Sequence, residues 1–130
     1  MSATPLQARS ISPSLTVSDL ERSLRFYKEG LGFTTGEEWK DGDKLIGVML
    51  ESDKVYLMLG QDDFAKGRDR LKGMGVRLYI QVTADINALA EQAKAAGLKL
   101  DSGPADLGWG PVGFTLTDPD GYKLTIAAGD

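Results

Sequence analysis

Residues 17–33 read VSDLERSLRFYKEGLGF, and within them the spacing of apolar side chains changes from that of a strand to that of a helix. Upstream, Ile11 to Val17 alternates apolar and polar residues, the pattern of an extended segment with one buried face. From Leu20 onward, Leu20, Leu24, Tyr27 and Leu31 recur at three or four positions, which gathers them on one side of a helix. Ser18 or Asp19 offers a side-chain oxygen to the free amides of the first turn, and Gly30 or Gly32 allows the helix to end. The unit is a strand followed by a helix.

The same unit returns in the second half. Arg77 to Val82 reads as a strand, and Asp85 opens an amphipathic run with Ile86, Leu89, Ala93 and Ala96 on one side and Gly97 at its end. After each helix come Gly-rich polar residues and then a hairpin. In the first half Gly47 to Glu51 and Lys54 to Leu59 flank Ser52 and Asp53; in the second, Val112 to Thr117 and Tyr122 to Ala127 flank DPDG. Ser12 and Arg77 stand 65 residues apart, Asp19 and Asp85 stand 66 apart, and Leu57 and Leu124 stand 67 apart. So nearly constant an offset across three elements marks an internal repeat of order β-α-β-β-β. The expected organisation is one domain over 1–130, with a first module at about 8–60, a linker at about 61–75 and a second module at about 76–128. Phe64, in that linker, either folds over a cavity or packs on the outside.

Composition narrows the chemistry. With 130 residues, 42% hydrophobic and 26% charged, the chain is long enough to bury a core without disulfides. It contains no cysteine and no histidine, which removes thiolate chemistry, the commonest metal ligand and the commonest general base. The net charge is −4, and the KGRDRLK stretch from Lys66 to Lys72 is the densest basic run, so a nucleic-acid partner is not expected. No window resembles a membrane span, and MSATPLQARS lacks the apolar core of a secretory signal, so a cytoplasmic location is expected.

Three stretches then stand together: VSDLERSLRFYKEGLGF at 17–33, INALAEQAKAAGL at 86–98 and DPDGYKLTI at 118–126. Together they resemble the glyoxalase, bleomycin-resistance and extradiol-dioxygenase superfamily, also called vicinal oxygen chelate, over nearly the whole chain. The resemblance implies an α+β fold in which two β-α-β-β-β modules form a curled eight-stranded mixed sheet around a cup, with the helices outside. It also implies ligand binding in the cup and a homodimer in which a partner subunit can complete it. Metal-dependent relatives place histidine, glutamine or glutamate on four cup strands. Matching the motifs puts Ser12, Met58, Arg77 and Thr125 at those positions, and these do not form a credible set of ligands. No metal and no cofactor is therefore expected.

Strand parity gives the candidate binding face. Alternation groups Ser12, Ser14 and Thr16 apart from Leu15 and Val17, Tyr56 and Met58 apart from Leu57 and Leu59, Arg77, Tyr79 and Gln81 apart from Ile80, and Thr125 apart from Leu124. Adding Met49 and the nearby loop residues Trp39 and Trp109, the candidate ligand-binding set is Ser12, Ser14, Trp39, Met49, Tyr56, Met58, Arg77, Tyr79, Gln81, Trp109 and Thr125. An indole stacks on a flat ring or holds a cation, but the two tryptophans equally suit packing under loops or at a dimer seam. Arg77 in the cup needs an anionic partner, either a ligand or Glu51, which otherwise reads as solvated beside its turn. Glu37 and Glu38 read as a charged loop. No catalytic residue is assigned.

Three functions follow. The first is a metal-free protein that binds a small organic ligand, with drug or metabolite sequestration as its role. The second is a glyoxalase- or dioxygenase-like enzyme with an atypical site, either metal-dependent with its ligands at other positions or metal-free with Glu51, Tyr56 or Tyr79 as proton carrier. The third is an interaction domain whose cup is vestigial.

Overall fold

In the computed structural model, which describes residues 4–108 and 111–129, β1 (Ser14–Val17) leads into α1 (Leu20–Leu24). Asp19 is the cap: its Oδ1 accepts from the Arg22 amide at 3.2 Å. The helix runs on into a π-helical turn, Arg25–Gly30, and the chain leaves it through Gly32 at φ +81. Three strands follow, β2 (Thr34–Asp41), β3 (Lys44–Ser52) and β4 (Val55–Gln61). The second half repeats this order: β5 (Arg77–Val82), α2 (Ile86–Ala95), β6 (Leu100–Asp106), β7 (Val112–Thr117) and β8 (Lys123–Ala128). Asp85 caps α2 by accepting from the amides of Asn87 and Ala88 at 2.8 and 3.3 Å. Ile86, Ala90 and Ala93 form its buried side, and Ala96 lies exposed beyond the last turn.

The eight strands form two four-stranded mixed sheets of the same plan, β1-β4-β3-β2 and β5-β8-β7-β6. In each, the strand before the helix pairs in parallel with the last strand of its module, and the other pairings are antiparallel. The first strand begins at Ser14 rather than Ile11. Pro13 has no amide hydrogen to continue the ladder, although its carbonyl still accepts from the Met58 amide at 2.9 Å.

One hydrophobic cluster joins the modules. It takes Leu15, Val17, Leu57 and Leu59 from the first sheet, Phe114, Leu116, Leu124 and Ile126 from the second, and Phe26, Tyr27 and Ile86 from the helical segments. The DPDG turn docks on the first module as well as closing its own hairpin. Tyr27 donates its hydroxyl to Asp118 Oδ2 at 2.7 Å, the Ser18 amide meets both Asp120 oxygens at 3.1 and 3.2 Å, and the Tyr122 hydroxyl donates to Thr16 O at 2.9 Å. Burial holds the Tyr27 phenol far above its ordinary pKa, with the Asp118 charge adding to the effect. Between the modules, Lys72 Nζ and Arg70 Nη2 lie 3.0 and 3.4 Å from Asp62 Oδ2, and the hydrogen bond from Lys72 holds this carboxyl below the usual range. Phe64 lies half-buried under the Arg68 guanidinium, 4.4 Å from its ring centre. Among the described residues, no helix is long and apolar enough to cross a membrane.

Candidate functional site

Each sheet turns one face to the shared core and leaves the other open. In β5 the alternation is regular: Leu78, Ile80 and Val82 pack toward the core while Arg77, Tyr79 and Gln81 are exposed. The pairings carry this parity from strand to strand and set the open-face residues in rows. On the first sheet Ser14 stands opposite Met58 and Met58 opposite Met49; one row away, Tyr56 stands opposite Glu51 and Glu51 opposite Thr34. On the second, Tyr79 stands opposite Thr125 and Thr125 opposite Thr115, whose hydroxyl meets Ser102 Oγ at 2.6 Å. Beside this row, Lys123 Nζ donates to Thr117 Oγ1 at 2.8 Å and Thr117 Oγ1 donates to Asp101 Oδ2 at 2.5 Å.

Trp39 sits in β2, not in a loop. Two register shifts, between Thr35 and Glu38 and between Trp39 and Lys40, break the alternation of this strand and hide it in the sequence. Trp39 pairs with Gly47, and Gly47 with Gly60, which itself pairs with Thr16. A Cβ at Gly47 would lie 3.3 Å from the indole Cε3, so the ring rests against a bare glycine. A Cβ at Gly60 would meet nothing within 4 Å. The half-buried indole thus borders a stretch of sheet without side chains, a flat floor with one aromatic wall.

The candidate residues divide between the modules. Ser14, Trp39, Met49, Tyr56 and Met58 share the open face of the first sheet, and Arg77, Tyr79, Gln81 and Thr125 share that of the second. Ser12 is exposed and precedes β1, and Trp109 lies outside the described residues. Both inner faces feed one core, and the candidate residues divide between two sheets that, among the described residues, share no strand pairing. Tyr56 and Tyr79 stay 44% and 45% exposed, too open for a closed site, whereas Thr125 at 5% is sheltered within its row. Glu51 is half-buried and lies over Gly36, and Arg77 makes no ion pair among the described residues. Of the two alternative partners for Arg77, a ligand or Glu51, the ion pair with Glu51 is not formed within one chain.

The polar groups on these faces are hydroxyls, the thioethers of Met49 and Met58, the Gln81 amide, the cations Arg77 and Lys123, and the carboxylates of Glu51 and Asp101. Glu51 and Asp101 stand on different sheets, and among the described residues no three of His, Cys, Asp and Glu come together. These residues do not fit the divalent metal of the metal-dependent relatives, whose ligands would be imidazole or carboxylate.

A cavity of about 460 Å3 lies elsewhere, on the core side, where the β3–β4 turn of the first module meets the second sheet. Leu31, Phe33 and Val55 line it from the first module, and Ile80, Val82, Leu89, Phe114 and Ile126 from the second. Sequence patterns gave no sign of it, because it forms between a turn, a helix and a sheet far apart in the chain.

Residues 9–126 match the family model described as the Glyoxalase/Bleomycin resistance protein/Dioxygenase superfamily. Virulence protein STM3117 of Salmonella typhimurium is 27% identical over 117 residues, covering 87% of this chain and 78% of that protein. Among solved structures, the V. cholerae integron cassette protein VCH_CASS1 superposes with a TM-score of 0.73 at 18% identity, covering 98% of this chain and all of that one. TnmS3, an antibiotic binding protein from Streptomyces sp. CB03234, superposes with a TM-score of 0.71 at 21% identity, covering 97% of this chain and all of that one.

Proposed function

We propose that this chain, which belongs to the Glyoxalase/Bleomycin resistance protein/Dioxygenase superfamily, binds and sequesters a small organic molecule without a metal, on the open face of its first sheet. The observation that carries the reading is the Trp39 indole resting against Gly47 beside the bare Gly60. A flat floor with an aromatic wall suits a planar ring, and the hydroxyls and thioethers of Ser14, Met49 and Met58 in the next row suit an organic surface better than an ion. A homodimer completes the site by setting the second-sheet face of a partner copy, with its Arg77, Tyr79 and Thr125 rows, against the first-sheet face. Arg77, which makes no ion pair among the described residues, then supplies a cation for an anionic or carbonyl group of the ligand. The antibiotic-binding relative of the same fold supports this use of the scaffold.

The test is a thermal-shift screen of planar aromatic natural products, followed by calorimetric titration of the strongest hit. Trp39→Ala is expected to weaken binding by about 2 kcal/mol, roughly thirtyfold, with an unchanged circular-dichroism spectrum. Equal affinity in the variant contradicts the reading.

A further inference from the structure

The cavity at the module seam lies on the core side, and of the candidate open-face residues among those described only Gln81 reaches its lining. Its floor is the core side of the second sheet, where Ile80, Val82, Phe114 and Ile126 turn toward α2, and its lid is the β3–β4 turn, in which Asp53 takes a left-handed φ of 51. Gln92 of α2 reaches across to Gly30 O at 3.4 Å and marks the edge of the opening. Well-packed interiors leave few voids larger than a water molecule, and an apolar void does not hold water well. At about 460 Å3 this one falls within the range of small-molecule pockets.

We infer that this crevice is a second binding site, contained within one chain, for a largely apolar, uncharged molecule of two-ring size that carries a hydrogen-bonding group. The apolar body follows from the walls. Neutrality follows from the rim, where the lining charges are Asp53 and Lys54, adjacent, opposite in sign and both exposed. A polar group on the ligand follows from the uncharged polar side chains at the opening, Gln92 with Ser52, Gln81 and Thr83.

The probe is N-phenyl-1-naphthylamine, which is neutral, apolar and carries one N–H. Fluorescence titration of Trp39→Ala, in which the open-face site is disabled, is expected to saturate at one probe per chain. Val82→Phe and Leu89→Phe, which fill the void from two different elements, are expected to weaken binding at least tenfold in that background. The Trp39→Ala background separates this site from the open-face site, so either reading can fail alone. In methyl-labelled wild-type protein, probe-induced shifts are expected at Ile80, Leu89 and Ile126, a readout that does not depend on a variant folding. Absence of saturable binding, full affinity in a folded filled variant, loss of binding in Trp39→Ala, or shifts confined to other methyl groups would overturn the inference.

Discussion

The Tyr27 hydroxyl donates to Asp118 Oδ2 from inside the core and ties together residues 91 positions apart. Asp118 Oδ1 also accepts from the amides of Asp120 and Tyr122, at 2.9 Å each. Burial still raises the Asp118 pKa above the usual carboxylate value, and the Tyr27 hydrogen bond opposes that rise. Tyr27→Phe removes the opposing donor and is expected to destabilise the fold by about 1–3 kcal/mol in urea unfolding at neutral pH. A carboxyl whose folded pKa is raised contributes stability below its unfolded value, and that contribution is lost as pH rises through the folded value. The variant raises the folded value further, so its penalty is expected to be smaller near pH 4 than at pH 7. A penalty independent of pH would mean that Asp118 is not the partner that matters. None of this was legible in the sequence, where Tyr27 reads only as one apolar member of a helix stripe. Trp39 shows a second kind of blindness: it was visible as a candidate, but the bulges of β2 concealed that it stands on a strand.

Among the elements, the connection before β5 depends on a close backbone approach. Gly73 N donates to Asp120 O at 3.1 Å, and a Cβ at Gly73 would run into the backbone of Gly121 and Tyr122. Gly73→Ala is expected to cost about 1–3 kcal/mol, because backbone cannot step aside as a flexible side chain does. Gly60→Ala, on open sheet with nothing within 4 Å, is expected to stay within about 0.5 kcal/mol of the parent. Chemical unfolding of the pair measures the contrast, and equal losses would contradict the packing described. Elements with strict periodicity were readable: β5 kept its alternation from Arg77 to Val82, and both helices began at their aspartate caps. The start of β1 was not, since Ile11 and Ser12 continue the alternation although the ladder stops at Pro13. Strand parity records which face a side chain takes and does not record where pairing ends.

For the whole molecule, the repeat was legible because both modules spend the same elements in the same order, and the two sheets follow one strand plan. How the modules meet was not, because the contacts that fix it, from Tyr27 to Asp118 and from Ser18 to Asp120, are single polar pairs without periodicity. That arrangement bears on function. It joins the core faces and leaves Ser14, Met58 and Trp39 on one open face and Tyr79 and Thr125 on the other. The proposed site takes its second face from a second copy. Native mass spectrometry of the purified protein, beside the Trp39→Ala variant, tests this directly, because one spectrum reports subunit number and retained ligand. The expected result is a dimer that carries an organic adduct in the parent protein and loses the adduct, while remaining a dimer, in the variant. A monomer in both samples, or an adduct held equally by the variant, would contradict binding on the Trp39 face between two copies.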